Sequence, residues 1–343
     1  MKEISVVGKE GTSTILVGER FIRLADILQD RRSVIVTDSA VMDLYGKEFP
    51  DTPVIVIGRG ENAKTLDTIH EIYRRLVEME ADRTTCIVGV GGGIVCDVTG
   101  FAASTFLRGL PFGFAPTTLL AQVDAGVGGK NGVNFRGYKN LIGTFRQPEF
   151  VLCDMEMLRS LPATEISCGL AEIVKHAVIA DPKMFEYLER EWENALNLDP
   201  IVIEKLVHDS VIIKAGVVSR DETERGERRV LNFGHTIGHA IENVCLLSHG
   251  EAVSIGMAAA ARFAEHLGMF PKSEVNRLIS LLKRLKLPTS VPSADWDSVQ
   301  DAIRRDKKRE AEAIHFVLPT AIGRVVVRSI PLAEILTLLP SIR

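Results

Sequence analysis

Three of the chain's eight histidines fall between residues 235 and 249, in Gly234-His235-Thr236-Ile237-Gly238-His239 and His249-Gly250-Glu251. His235 and His239 are four apart, so on a helix they share a face and can point into one cavity. Imidazole is the commonest zinc ligand, and a catalytic zinc takes three protein ligands plus an open position. The cluster therefore reads either as a metal site or as ordinary core and surface histidines. The absence of H-E-x-x-H disfavours a zincin protease. A carboxylate that could complete the set is Glu172, in Gly169-Leu170-Ala171-Glu172-Ile173-Val174-Lys175-His176, with Lys175 three residues on. In a buried helix both charges are costly unless they pair or bind a metal; on a surface they would form a plain i, i+3 pair.

Glycine marks two further places. Gly89-Val90-Gly91-Gly92-Gly93 follows an apolar strand and precedes a helical pattern at 94–106. Such a junction lets backbone approach a pyrophosphate at a helix N-terminus, or it is simply a tight strand–helix turn. It is not G-x-G-x-x-G, and Asp97, one turn into the helix, suits a hydroxyl-binding or structural role better than a phosphate cradle. Asp124-Ala125-Gly126-Val127-Gly128-Gly129-Lys130 superficially matches a P-loop. Asp124 stands where the first glycine is required and Asn131 where Ser or Thr is required, which excludes the NTPase reading. What remains is an acid and a lysine on flexible backbone, followed by Lys139-Asn140: a candidate anion site. The basic run 304–309 reads as a solvated helix end from which one lysine could reach a phosphate. These residues point to an enzyme using a nucleotide, a metal and an anionic substrate. A divalent ion lowers the pKa of a bound hydroxyl and a nicotinamide takes the hydride, so the expected chemistry is at a polyol carbon.

The elements that position these residues change character along the chain. Residues 33–37 (SVIVT), 53–57 (PVIVI) and 85–90 (TCIVGV) are continuous apolar runs, as parallel strands buried on both faces require. Between the second and third, 65–79 carries apolar residues at helical spacing, so strand, helix, strand predicts a parallel α/β sheet. After 150–154 (FVLCD), helical stretches dominate at 165–179, 200–218, 236–244, 251–267 and 273–285, and 314–318 with 324–328 reads as a strand pair. The expected organisation is an α/β nucleotide-binding domain over 1–155 and a mainly helical domain over 156–343.

Composition sets the outer limits. The 343 residues are 46% hydrophobic and 25% charged with net charge −4, which excludes a disordered chain and implies no nucleic-acid partner. The five cysteines form no C-x-x-C and read as buried free thiols. The N-terminus is too early charged for a signal peptide, and no run approaches the roughly 20 apolar residues of a membrane span, so a cytoplasmic location is expected.

The chain resembles the 3-dehydroquinate synthase family over nearly its whole length. The resemblance rests on Gly91-Gly92-Gly93 with Asp97, Pro116-Thr117-Thr118-Leu119-Leu120, Gln122-Val123-Asp124 leading to Gly128-Gly129-Lys130, and Lys139-Asn140. It continues in Gly169-Leu170-Ala171-Glu172, residues 231–239 and His249-Gly250-Glu251-Ala252-Val253. It implies an N-terminal Rossmann-like parallel-sheet domain binding NAD, a mainly α-helical C-terminal domain binding one zinc or cobalt, an active site between them, and a homodimer. The implied metal ligands are Glu172, His235 and His249, with His239 near the substrate phosphate instead. Implied NAD contacts are Asp38, Glu61, Lys64, Gly91–Gly93, Asp97, Thr117, Thr118, Lys130, Lys139 and Ser160. Implied substrate contacts are Arg108 (from the second copy), Asp124, Lys130, Asn140, Lys175, Lys214, Arg228, Asn232, His239 and Lys307.

The implied reaction converts 3-deoxy-D-arabino-heptulosonate 7-phosphate to 3-dehydroquinate and phosphate: transient oxidation by NAD, β-elimination of phosphate, re-reduction, ring opening and an intramolecular aldol. Lys130, His239, Lys307 and Arg108 suit the phosphate, and Lys214 with Arg228 the carboxylate. Asn131, Ala125-Gly126, Phe135-Arg136 after Asn134, and Ser160 depart from the usual family residues and bear on local loop conformation. Related cyclases acting on other sugar phosphates, such as 2-deoxy-scyllo-inosose synthase or valiolone-forming enzymes, and metal-dependent polyol dehydrogenases are the alternatives; the Lys214/Arg228 pair favours a carboxylate-bearing substrate.

Overall fold

Strands β1 (Lys2–Gly8) and β2 (Gly11–Val17) open the chain as an antiparallel hairpin. A β/α alternation follows: α1 (Leu24–Leu28), β3 (Ser33–Asp38), α2 (Ser39–Tyr45), β4 (Val54–Ile57), α3 (Leu66–Glu78), β5 (Cys86–Gly91), α4 (Gly93–Thr105) and β6 (Phe112–Pro116). A second hairpin, β7 (Lys130–Phe135) with β8 (Tyr138–Phe145), precedes β9 (Phe150–Cys153). This computed structural model describes residues 2–8, 11–291, 296–304, 309–310 and 313–337.

Burial explains the alternation. Strands β5, β6 and β9 are buried at every position, as strands covered by helices on both faces must be. Helix α3 turns Ile69, Ile72 and Leu76 inward, and Thr65 caps its start by accepting from the Thr68 amide. The seven-stranded sheet runs β1-β2-β9-β6-β5-β3-β4, parallel throughout except for the β1–β2 pair. The sheet is thus mixed rather than wholly parallel, because β1 pairs with β2 antiparallel, from Lys2 opposite Val17 to Gly8 opposite Gly11. The connection from β3 leads outward to β4 and that from β5 leads the other way to β6. Their carboxyl ends, Asp38 and Gly91, therefore flank a topological switch point, where open α/β sheets bind ligands.

The later chain supplies the helices α5 (Ala163–Ala180), α6 (Pro182–Leu196), α7 (Pro200–Arg220), α8 (His235–Cys245), α9 (His249–His266), α10 (Lys272–Arg284) and α11 (Trp296–Arg304). An antiparallel sheet of β10 (Arg309–Glu310), β11 (Ala313–Ala321) and β12 (Arg324–Pro331) follows, and then α12 (Leu332–Leu336). Helix α6 is not among the sequence expectations, although Asp181 capping two amides and Pro182 in the first turn is a recognisable start signal.

Glycines let three helices approach one another. A Cβ on Gly250 would lie 2.3 Å from the Cα of Cys168, so α9 begins hard against α5. A Cβ on Gly256 would lie 1.8 Å from the carbonyl oxygen of Gly234, bringing α9 onto α8. The chain divides into two compact units, Met1–Leu161 with Lys214–Thr223 and Pro162–Ile213 with Glu224–Arg343. The division lies after Leu161 rather than near residue 155, and the end of α7 belongs with the first unit. Among the described residues, no helix is long and apolar enough to cross a membrane.

Candidate active site and metal centre

In the second unit, Glu172 lies in the middle of α5, wholly buried, with Lys175 one turn on as its ion-pair partner. His235 is the first residue of α8 and His249 the first of α9. A capping box fixes the start of α9, in which Ser248 and Glu251 exchange side-chain and backbone hydrogen bonds. His235 Nε2 lies 3.6 Å and His249 Nε2 3.3 Å from Oε1 of Glu172. The other ring nitrogens are engaged: His235 Nδ1 with the Phe233 carbonyl at 3.1 Å, His249 Nδ1 with Glu242 Oε2 at 3.2 Å.

One ligand atom from each of Glu172, His235 and His249 lies within 4.8 Å of the other two, and the same holds for His239, Glu242 and His249. The first grouping fits a divalent ion better, since it joins a fully buried carboxylate to two imidazoles that face it through Nε2 while their Nδ1 atoms meet oxygen acceptors. His239 shares a face of α8 with His235, their ring centroids 5.2 Å apart, as the spacing predicts, but it is only half-buried.

Burial opposes a charge on His249, yet hydrogen bonds to the Glu172 and Glu242 carboxylates overcome it and push its pKa up to about 10. A metal must displace that proton, so affinity is expected to climb about tenfold per pH unit across neutral and mildly alkaline pH, levelling near pH 10. Chelator competition at several pH values measures this. The sign for stability is opposite. A raised histidine pKa stabilises the metal-free fold fully below its ordinary value of 6.5, and that contribution is lost as pH rises through about 10.

In the first unit, α4 starts at the switch point with Gly92 as N-cap and no side-chain cap. A Cβ on Gly92 would meet Thr118 at 3.2 Å and one on Gly93 would meet Ala125 at 3.0 Å, so bare backbone lines this helix start, a surface fitted to a pyrophosphate. Asp38 ends β3 and caps α2, accepting from the Ala40 and Val41 amides. Lys64 pairs with Asp97, whose pKa is raised because burial outweighs the lysine's pull. Lys64→Met is expected to cost about 3 kcal/mol by stranding a buried carboxylate, read as a lowered denaturation midpoint. Glu61 accepts from Asn134 Nδ2 at 2.7 Å, and Asn134 Oδ1 accepts from the Asn140 amide at 2.9 Å. Thr117 is buried, Thr118 Oγ1 accepts from the Ala121 amide, and Ser160 accepts from the hydroxyl of Tyr45 at 2.8 Å.

Residues expected at the substrate are placed as follows. Asp124 sits in a π-helical turn, Ala121–Ala125, and Lys214 Nζ donates to both its carbonyl and its carboxylate at 2.6 Å. Gln122 fastens that turn by donating to the carbonyls of Pro116 and Asp154. Lys130 is exposed and Lys139 half-buried on the β7–β8 hairpin. Asn131 closes the preceding glycine loop by donating to the carbonyls of Gly129 and Arg146, and Arg136 (φ 48°) occupies the hairpin turn with Gly137 (φ 81°). Arg108 is exposed and follows Leu107 in left-handed backbone, at φ 68° and 49°, a strained pair of non-glycine residues. Arg228 is buried, and Asn232 donates to Glu224. Lys307 lies outside the described residues. Sequence reasoning missed Tyr45, Glu224 and Glu242; only Glu242 left a signal, seven residues after His235 on the same helical face.

Family models described as 3-dehydroquinate synthase N-terminal and C-terminal match residues 54–168 and 169–309. The chain belongs to the 3-dehydroquinate synthase family. A 3-dehydroquinate synthase from Symbiobacterium thermophilum is 44% identical over 311 residues, 87% of either chain. Among solved structures, a 2-deoxy-scyllo-inosose synthase with carbaglucose-6-phosphate, NAD+ and Co2+ matches with TM-score 0.90 at 26% identity over all of both chains. A 2-epi-5-epi-valiolone synthase from Streptomyces hygroscopicus subsp. jinggangensis, with NAD+ and Zn2+, matches with TM-score 0.88 at 29% identity, covering 100% of this chain and 98% of that one. Within this family the fold is an N-terminal mixed-sheet domain followed by a helical one, as found here.

Proposed function

We propose that this chain is a 3-dehydroquinate synthase, a phosphate-eliminating lyase that converts 3-deoxy-D-arabino-heptulosonate 7-phosphate to 3-dehydroquinate and phosphate. The observation that carries the reading is the convergence of Glu172, His235 and His249, in a chain 44% identical to a curated 3-dehydroquinate synthase. NAD supplies a reversible hydride acceptor and the divalent ion, zinc or cobalt, supplies Lewis acidity at a hydroxyl. Every other task falls to side chains.

Glu172, His235 and His249 hold the metal. Asp38, Glu61, Lys64, Gly91–Gly93, Asp97, Thr117, Thr118, Lys130, Lys139 and Ser160 hold NAD. Lys214 and Arg228 bind the substrate carboxylate, and Asp124 fixes the lysine's ammonium in place. Lys130, His239, Arg108 and Lys307 meet the phosphate and stabilise charge as it leaves; the departing group's own oxygen accepts the neighbouring C–H proton. Asn140, Lys175 and Asn232 orient the hydroxyls, Lys175 also holding the Glu172 carboxylate by its ion pair.

A lysine and an arginine, Lys214 and Arg228, suit a carboxylate-bearing sugar phosphate, which favours this substrate over those of the cyclases that share the fold at 26–29% identity. We further infer a homodimer. Exposed Tyr138, Leu141 and Phe145 on the β7–β8 hairpin supply an apolar face, and the exposed Arg108 suits delivery to a second copy's phosphate site. Use of NAD and a sugar phosphate, together with unpaired cysteines, fits the cytoplasm. The deciding experiment measures phosphate release with substoichiometric NAD. Many phosphates per NAD, lost on chelation and restored by zinc or cobalt, is the expected result. Net accumulation of NADH would indicate a polyol dehydrogenase, and release only from another sugar phosphate would indicate a different cyclase.

A further inference from the structure

The two imidazoles that face Glu172 are held from behind by different acceptors. His235 Nδ1 meets a backbone carbonyl, a neutral group supplied by Phe233 at 3.1 Å. His249 Nδ1 meets the Glu242 carboxylate at 3.2 Å, with the Glu242 side chain only 11% exposed. Glu242 lies on α8 and His249 opens α9, so this contact ties the end of one helix to the start of the next. Leu246 between them adopts a left-handed conformation (φ 53°) and is 89% exposed, so its side chain does not hold the ring. A histidine at a helix start has rotamer freedom, and a ring flip would turn Nδ1 rather than Nε2 toward Glu172.

We propose that Glu242 is a positioning residue for the metal centre, fixing the tautomer and rotamer of His249 so that Nε2 faces Glu172. The inference rests on the reading of Glu172, His235 and His249 as metal ligands. A carboxylate accepting from Nδ1–H leaves the Nε2 lone pair free for an ion and increases its donor strength; outer partners of this kind govern about 10–100-fold in metal affinity. Glu242 also brings a second negative charge to a dication that Glu172 alone would half neutralise, with the Lys175 ammonium nearby adding to that deficit.

The test titrates metal-free protein with cobalt and with zinc against a chromophoric chelator, comparing the parent with Glu242→Ala and Glu242→Gln. Glu242→Ala is expected to bind 10–100-fold more weakly. Glu242→Gln, whose amide oxygen still accepts from Nδ1–H, is expected to recover part of that loss. The visible bands of the cobalt protein should shift and broaden in Glu242→Ala and approach the parent's in Glu242→Gln. His249→Ala provides the reference for a lost ligand. Should Glu242→Ala fail to fold by circular dichroism, the Gln variant carries the test through its weakened affinity and altered cobalt spectrum. Affinities within twofold of the parent, with unchanged cobalt bands in the folded variants, would overturn the inference while leaving the metal site standing. A parent protein that binds neither metal would instead remove the metal-site reading beneath it.

Discussion

Phosphate release is expected to fall by at least about 10³-fold in Glu172→Gln, His235→Ala and His249→Ala, an activation penalty of about 4 kcal/mol. The three donors lie within 4.8 Å of one another, and loss of any one leaves an incomplete set around a buried carboxylate or its partners. Metal analysis after gel filtration should show substoichiometric zinc or cobalt in each variant, so the lost turnover follows the lost ion. His239→Ala provides the contrast. Its ring neighbours His235 at 5.2 Å, yet it is expected to keep metal at parent stoichiometry and lose about 10²-fold in turnover. A metal-free His239→Ala would restore the reading that pairs His235 with His239 as ligands. Full phosphate release from metal-stripped protein would sink the assignment altogether.

The second large effect concerns residues with no chemistry. Gly250→Ala would place a methyl 2.3 Å from the Cα of Cys168, and Gly256→Ala one 1.8 Å from the Gly234 oxygen. In both cases the obstacle is backbone, which yields only if a helix moves. Overpacking of this kind costs about 3 kcal/mol or more, roughly 6–12 °C in the melting midpoint for a unit of this size. The same movement separates α9 from α5 or α8, and with them His249 from Glu172 or His235, so metal stoichiometry should fall beyond what lowered stability explains. Gly216→Ala makes a suitable control. Its new methyl meets only the flexible end of Arg220 at 3.4 Å, and an alanine within helix α7 is expected to be neutral or stabilising. Parent-like metal content in folded Gly250→Ala would show that the helix contact does not set ligand geometry.

Much of this was readable in the sequence because it is carried by local pattern. The runs at 33–37 and 85–90 hold unbroken apolar residues at their centres (Val34–Val36 and Cys86–Val88), as a strand covered on both faces requires, so β3 and β5 are expected where they occur. The glycine-rich junction after β5 was likewise visible as a strand end meeting a helix start. The hairpin β1–β2 is not among the sequence expectations, since its apolar residues come only in short groups (Val6-Val7, Ile15-Leu16-Val17) among charged and polar ones. At the metal centre, spacing brought together His235 and His239, which do share a face. The proposed ligands His249 and Glu172 come from other helices, and their meeting depends on interhelical glycine contacts that no periodicity encodes; it is the family resemblance that names them. Glu242, Glu224 and Tyr45 leave little trace in the sequence because each matters through the side chain it meets (His249, Asn232 and Ser160), and a lone glutamate or tyrosine otherwise reads as surface.

Helix α7 has Pro200–Ile213 in one unit and its last turns, from Lys214, in the other. A gene cut after the codon for Leu161 would therefore not yield two self-sufficient polypeptides. The amino-terminal fragment would lack Lys214, leaving Asp124 without the ammonium that donates to its carbonyl and carboxylate. The carboxy-terminal fragment would carry Lys214–Thr223 with its packing partners on another molecule. Such a pair is built for fragment complementation: two inactive halves whose recovered turnover reports that whatever they are fused to has come together.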